Sequence, residues 1–150
     1  MKTLNYFAYG SNMDAERMKK RNVKFLSRYR GILKGWRLEF NKVALKNEKE
    51  GYANIVPDEN SYVEGCVYEI EDRYIEELDK HEAYPDHYER KYVIIETEKG
   101  EIKAITYIAN ASKLKKGLMP SKEYLSYLLK GKDCLSDEYF EKLSLIKTLD

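Results

Sequence analysis

The alternation of apolar and polar residues predicts that strands make up much of this chain. It is clearest from Tyr62 to Ile70, where Gly65 marks a position at which another backbone can approach closely. Tyr52 to Val56 is typical of a strand that Pro57 ends, and the polar stretch from Lys42 to Gly51 is typical of a surface loop. Further strands are expected at 4–9 and 36–40, an extended arm at 23–33, a turn between Gly31 and Gly35, and a hairpin made of 88–96 and 102–109.

Helical spacing of apolar residues predicts four short helices among these strands. Asn12 or Asp14 can cap the first helix, and Ser121 and Ser136 stand at the starts of the last two. The residue before Pro85 disfavours helical backbone, so the second helix ends near Tyr84. The helices are expected at 15–20, 72–82, 121–129 and 136–145. Strands with scattered helices, without regular βαβ alternation, predict an α+β fold with a mostly antiparallel, barrel-like sheet.

Length, charge and cysteine content limit the classes of protein that this chain can represent. Its 150 residues fit a single domain, and there is no internal repeat or linker. The 27 basic and 26 acidic residues nearly cancel and are interleaved, whereas nucleic-acid binding needs a basic face. No apolar run is long enough to span a membrane, and the N-terminus lacks the features of a signal peptide. We therefore expect a cytoplasmic protein, with no nucleic acid and no membrane as partner, in which Cys66 and Cys134 are buried free thiols.

Glu82 is the carboxylate most suited to chemistry. Ile75, Leu78 and Glu82 are spaced i, i+3 and i+7 and therefore share one face of the second helix. Burial and the negative end of the helix dipole both disfavour the charged form, so the pKa of Glu82 is expected above its ordinary value of roughly 4.3. Such a carboxylate can pass protons near neutral pH. The alternative is a frayed helix end at which Glu82 bends into water.

The turn Tyr9-Gly10-Ser11-Asn12 joins the end of a predicted strand to the start of a helix. Backbone N–H groups in such a turn can converge on an anion or on a developing oxyanion. The alternative is a turn that only reverses the chain. Ser11 is a poor candidate for a nucleophile, because no G-x-S-x-G sequence surrounds it and only two histidines are available as bases.

A metal site is a further alternative. Asp79, His81, Glu82, Asp86 and His87 lie close together in sequence, but their spacing is not H-E-x-x-H and the helix ends between the two histidines. We favour a solvated loop here and expect no metal and no cofactor.

A set of distinctive blocks occurs along the chain at 7–13, 35–41, 52–57, 63–68, 78–82, 86–90 and 120–125. Together and in this order they resemble the γ-glutamylcyclotransferases and their relatives of the avirulence-induced-protein type. Phe7 to Met13 is similar to the N-terminal signature of that family. Leu78 to Glu82 places Glu82 on its acid/base glutamate. Ala83 is a departure, because many members have glycine after this glutamate.

The resemblance implies an antiparallel β-barrel with helices around it, and the cyclisation of a γ-glutamyl group to 5-oxoproline with release of an amine or amino acid. It implies that Glu82 is the catalytic acid and base and that Tyr88 and Tyr124 fall on pocket tyrosines, with Tyr9 beside them. The N–H groups of Gly10, Ser11 and Asn12 are expected to hold either the substrate carboxylate or the carbonyl oxygen. The partner is then a small γ-glutamyl molecule, and the protein a monomer or homodimer.

Two alternatives stay open for the function. One is an enzyme that acts on a γ-glutamylamine or on a γ-glutamylated biosynthetic intermediate. The other is a module of the same fold that binds a small carboxylate and does no chemistry. A buried glutamate argues against the module, since an anion-binding site would gain from a cation at that position.

Overall fold

Five strands close into a barrel in the computed structural model, which describes residues 1–150. Their order around the barrel is β1-β3-β2-β4-β5. Neighbours are antiparallel except β1 and β5, which pair in parallel at Tyr6 and Ile105. The prediction of an α+β fold with a mostly antiparallel barrel is therefore confirmed. The strands are β1 (Thr3–Ala8), β2 (Ser27–Val43), β3 (Gly51–Glu71), β4 (Tyr88–Thr97) and β5 (Gly100–Ala109).

Four α-helices surround the barrel, as the apolar spacing predicts. Three of them begin at side-chain caps: Asp14, Ser121 and Ser136 each accept a hydrogen bond from a backbone N–H of the first turn. None of the four has the length and apolar character needed to cross a membrane. The helices are α1 (Ala15–Lys20), α2 (Ile75–His81), α3 (Lys122–Leu129) and α4 (Asp137–Ser144), and 3-10 turns occupy Ser11–Met13, Asp72–Tyr74, Ala111–Lys113 and Lys132–Cys134.

The predicted turn between Gly31 and Gly35 is wrong, because β2 runs through both residues. Gly31 pairs with Gly65 inside the sheet, and a Cβ at Gly31 would lie 2.5 Å from the side chain of Ile95. Glycine is therefore required at this position by packing. Gly35 has a φ of +85° and lies at a register shift in the β2–β3 pairing. Such a bulge bends a strand without ending it.

The ends predicted at Pro57 and Lys42 are wrong for a related reason. β3 continues through Pro57, which pairs with Trp36 beside the same register shift, where a missing N–H donor is tolerated. β2 continues to Val43 past a second shift between Glu39 and Lys42. Lys42 is only 2% exposed, so the predicted surface loop begins after it.

The barrel encloses one cluster of 30 buried residues that continues under the helices. The close approach predicted at Gly65 is confirmed, since a Cβ there would lie 2.4 Å from the carbonyl oxygen of Ala8. Cys66 and Cys134 are buried free thiols, as predicted. The packing of β3 against the end of β1 fixes the position at which the following turn leaves the barrel.

Candidate active site

A small cavity of about 40 Å³ lies between the turn after β1, the end of α2 and strand β5. This is room for a few water molecules and therefore for a compact polar group. All seven residues that the sequence singles out line this cavity, although they come from four separate parts of the chain. The lining consists of Tyr6, Phe7, Tyr9, Gly10, Ser11, Asn12, Ala53, Glu82, Tyr88, Thr106, Tyr107 and Tyr124.

The end of α2 holds Glu82 in place at the cavity. Glu82 is the residue that caps the helix, and its backbone N–H donates to the carbonyl of Leu78 at 2.9 Å. The chain then turns through Ala83, which has a φ of +51°. Tyr84 donates to the carbonyl of Asp79 at 2.9 Å and Ala83 to that of Lys80 at 3.2 Å, which is the hydrogen-bond pattern of a Schellman motif. The helix end is therefore closed by its own bonds and does not fray.

The carboxyl group of Glu82 has no hydrogen-bond or ion-pair partner in the protein. Glu82 is only partly exposed as a residue, and it lines the cavity. Burial raises the pKa of Glu82, as the sequence predicts. The nearby cations of Arg21, Arg17 and Lys42 oppose this rise, in that order. The group is thus an unoccupied proton acceptor whose pKa lies above its ordinary value.

The turn after β1 presents three unused backbone donors. The N–H groups of Gly10, Ser11 and Asn12 donate to no acceptor in the protein. A Cβ at Gly10 would lie 3.1 Å from that of Ala53 and 3.4 Å from the hydroxyl of Tyr124, so glycine lets the turn pack closely on the cavity. Free N–H groups beside an enclosed carboxyl can hold a carboxylate or a developing oxyanion.

Side-chain hydrogen bonds hold this turn in place. Asn12 is buried, donates to the hydroxyl of Tyr6 at 3.0 Å and accepts from the guanidinium of Arg21 at 3.0 Å. The hydroxyl of Ser11 accepts from Nε of Arg17 at 3.2 Å. These bonds leave the Ser11 hydroxyl without a base beside it, which agrees with the expectation that it is not a nucleophile.

A second set of contacts supports the same turn from strands β2 and β3. The hydroxyl of Tyr68 donates to the carbonyl of Asn12 at 2.6 Å, and Nη1 of Arg28 donates to that hydroxyl and to the carbonyl of Met13, both at 2.7 Å. Arg28 is itself held by an ion pair with Asp133. The backbone of the turn is therefore bonded on the side away from the cavity.

Three tyrosines form the aromatic part of the lining. The hydroxyl of Tyr9 donates to the carbonyl of Tyr107 at 2.5 Å. The hydroxyl of Tyr88 donates to the carbonyl of Ala53 at 3.1 Å, and that of Tyr124 accepts from the Ala53 N–H at 3.0 Å. Burial raises the pKa of all three, so their hydroxyls keep their protons. Because each hydroxyl is bonded to backbone, the rings are fixed around the cavity.

The acidic residues and histidines of the rejected metal alternative are dispersed. Asp79 accepts from the hydroxyl of Tyr107 at 2.7 Å and lies 3.6 Å from Arg90. Nε2 of His81 lies 3.1 Å from the carbonyl oxygen of Arg21. No three His, Cys, Asp or Glu side chains in the chain come together in a metal-binding arrangement.

Sequence reasoning missed part of the lining. Ala53 lies in one of the similar sequence blocks, but its backbone contacts with Tyr88 and Tyr124 depend on tertiary packing. Thr106 offers a signal, because it is a polar residue among the apolar residues of β5. It is fully buried and donates to the carbonyl of Phe7 at 2.8 Å, across the β1–β5 pair. The other residues that were missed are Tyr6, Phe7 and Tyr107, and the basic residues Arg17, Arg21 and Lys42 outside the lining.

Fold and site together define a class: a small β-barrel protein whose pocket combines an enclosed carboxyl group with free backbone donors. The profile of the family described as "Gamma-glutamyl cyclotransferase, AIG2-like" matches residues 6–126. The chain therefore belongs to this family, as its sequence blocks indicate. No curated protein matches the chain in sequence at a significant level.

Solved structures agree with this assignment. A structure named "Gamma-glutamyl cyclotransferase" superposes with a TM-score of 0.85 at 26% identity and covers 99% of this chain and 90% of its own. An uncharacterized human protein superposes with a TM-score of 0.87 at 27% identity, and the match covers 100% of this chain and 91% of the human protein. YkqA of Bacillus subtilis gives 0.85 at 26% identity, but the match spans 56% of YkqA. The chain has the fold of γ-glutamyl cyclotransferases.

Proposed function

We propose that this protein is a γ-glutamyl cyclotransferase that converts a small γ-glutamyl amide to 5-oxoproline and releases an amine or amino acid. One observation carries the proposal. The unpartnered carboxyl group of Glu82 lines the same small cavity as the free N–H groups of Gly10, Ser11 and Asn12. Family membership supports the reaction type, and the geometry supports the roles that we propose for these residues.

In this mechanism the substrate supplies its own nucleophile. The carboxylate of Glu82 accepts a proton from the α-ammonium group, and the free amine attacks the γ-carbonyl carbon to form a new C–N bond. Glu82 then delivers this proton to the departing nitrogen as the original amide C–N bond breaks. The regenerated carboxylate accepts the second proton from the ring nitrogen and passes it to the released amine, which leaves as an ammonium ion. The products are the five-membered lactam and an amine. The atoms balance without a covalent enzyme intermediate.

The site supplies orientation of the reacting groups and stabilisation of negative charge, which this reaction lacks in water. It folds the glutamyl chain so that amine and carbonyl meet, and well-oriented intramolecular attack reaches effective molarities of roughly 10⁵–10⁸ M. The N–H groups of the turn then stabilise the negative charge of the substrate carboxylate or of the carbonyl oxygen in the transition state. The bonded tyrosines Tyr9, Tyr88 and Tyr124 exclude water from the reacting atoms.

The charges around Glu82 suit both halves of its role. Burial raises its pKa and makes it a better base, whereas Arg21, Arg17 and Lys42 limit that rise so that the carboxylate still forms. A residue that acts as both general acid and general base needs a pKa that is neither too low nor too high, because it must accept a proton and then return it.

The test replaces Glu82 by glutamine, which keeps the volume and removes the base. Glu76→Gln is the matched control, since Glu76 is an exposed residue of the same helix. We expect 5-oxoproline formation from γ-glutamyl amides to fall by about 10²–10⁴ in Glu82→Gln and to stay at the wild-type level in the control. Full turnover by Glu82→Gln would remove Glu82 from the mechanism. Calorimetric binding of γ-glutamyl ligands without lactam formation by the wild type would instead indicate a binding module.

A further inference from the structure

A buried ammonium group without a counter-ion lies next to the candidate active site. Lys42 on β2 is 2% exposed, and no carboxylate or hydrogen-bond acceptor of the protein binds its Nζ. The ammonium lies 5.7 Å from the ring centroids of both Tyr52 and Tyr88. Burying a charge without a partner is unfavourable. Burial accordingly lowers the pKa of Lys42, and the ammonium of Lys113 lowers it further.

Two more nitrogen-bearing side chains, those of Lys113 and His87, lie close enough to Lys42 to interact with it electrostatically. The backbone of Lys42 is paired with that of Leu114, which brings the neighbouring Lys113 close to it. His87 is joined to the same region, because its carbonyl accepts from the N–H of Asn110 at 2.9 Å. Nδ1 of His87 is buried and has no hydrogen-bond partner. The structure thus gathers two ammonium groups and an unsatisfied ring nitrogen in one place.

The acidic groups near this cluster do not neutralise it. Burial, then Lys42, then Lys113 lower the pKa of His87, and Asp86, which is exposed, opposes them. Glu82 acts on Lys42 electrostatically but forms no ion pair with it. A cluster of donors with excess positive charge and one orphaned nitrogen is suited to a carboxylate.

The position of the cluster indicates which part of a substrate would reach it. Lys42, Lys113 and His87 are not among the residues that line the cavity, although Tyr88, which the Lys42 ammonium faces, is one of them. The cavity of about 40 Å³ has room for a compact group only. If the glutamyl half occupies the cavity, the group released by the reaction extends past the tyrosines towards Lys42.

We propose that Lys42, with Lys113 and His87, binds a carboxylate on the leaving group and so selects γ-glutamyl amino acids and peptides over γ-glutamylamines. The inference rests on the proposed function and adds a specificity-determining residue to it. A bound carboxylate would be a counter-ion for Lys42, which has none in the protein, and a hydrogen-bond acceptor for the ring of His87. A leaving group without a carboxylate leaves both unsatisfied.

The test uses one substrate that carries this charge and two that lack it. γ-Glutamylalanine and γ-glutamylalaninamide have leaving groups of nearly equal size, and γ-glutamylethylamide lacks the carboxyl carbon altogether. Each is assayed for 5-oxoproline with the wild type, with Lys42→Met, which keeps the apolar stem, and with Lys42→Arg, which keeps the charge. Lys46→Met is the matched control, because Lys46 is an exposed lysine of the following loop. Assays are run on the plateau of each pH profile, since Lys42 also acts on Glu82.

We expect the wild type to prefer γ-glutamylalanine, and Lys42→Met to raise KM for that substrate by about 10- to 100-fold, as for the loss of one charge-assisted hydrogen bond. The two uncharged substrates should change little, and Lys42→Arg should restore most of the preference. Equal losses on charged and uncharged substrates, or an unchanged preference in Lys42→Met, would overturn the inference.

A binding measurement separates this inference from the proposed function. Calorimetry in the Glu82→Gln background compares γ-glutamylalanine with γ-glutamylalaninamide, with and without Lys42→Met. Absence of 5-oxoproline from every substrate refutes the proposed function alone, whereas equal affinity for the two ligands refutes the role of Lys42.

Discussion

Replacing Tyr68 by phenylalanine tests whether the contacts behind the first turn maintain the candidate site. The change removes one buried hydroxyl, which donates to the carbonyl of Asn12 at 2.6 Å and accepts from Arg28 at 2.7 Å. One lost bond is neutral, worth about 0.5–1.5 kcal/mol, and one involves a charged group, worth about 1.5–3 kcal/mol. Arg28 keeps Asp133 and the carbonyl of Met13, so its charge is not left without partners. We therefore expect the free energy of unfolding to fall by about 2–4.5 kcal/mol.

Urea denaturation followed by fluorescence measures this change. The control is Tyr92→Phe, which removes a hydroxyl without a hydrogen bond from a residue that is 64% exposed and should alter stability by no more than about 0.5 kcal/mol. Turnover to 5-oxoproline should also fall in Tyr68→Phe, because the N–H groups of the turn lose their support, while the acid limb of the pH profile keeps its midpoint. A stability loss in Tyr68→Phe no larger than that of the control would refute the reasoning.

Two further predictions concern the end of α2. Ala83→Gly should raise the free energy of unfolding, measured in urea, by about 0.5–1 kcal/mol. Glycine removes the cost of about 1–2 kcal/mol that alanine has in left-handed backbone, but it stabilises the unfolded chain by about 0.4–1 kcal/mol of conformational entropy. A loss of stability would contradict the strain at φ +51°. Glu82→Gln should be more stable than the wild type at pH 8 but not below about pH 4, because a pKa raised in the folded state makes ionisation destabilising only above the unfolded pKa. An equal gain at both pH values would show that burial of the charge is not the cause.

The strands and helix starts could be predicted because their signals are local. The alternation at Tyr62–Ile70 and the caps Ser121 and Ser136 depend on neighbouring residues only, and the structure agrees with them. Glycine and proline were misleading at Gly35 and Pro57. In long, strongly twisted strands they occur at bulges, so the same residues that end a short strand bend a long one.

The residues of the candidate site also fall into those that local sequence signals reveal and those that depend on tertiary packing. Glu82 and the turn after β1 could be found from helical spacing and from the similar sequence blocks. Lys42 could not, because a lysine in a polar stretch reads as exposed, and its burial results from strand extension past a register shift. The contacts of Thr106 and Ala53 depend equally on which strands become neighbours, which no local pattern states.

Because β1 pairs with β5, the pocket forms only late in folding. The hydrogen bond from Tyr9 to Tyr107 connects residues 98 positions apart, and that from Thr106 to Phe7 connects residues 99 apart. Contacts of such sequence separation are entropically costly to form and arise only when the rest of the chain is organised. No fragment that contains Glu82 and its helix alone, or the first turn alone, would carry the proposed activity. Turnover should therefore report on completion of the whole barrel.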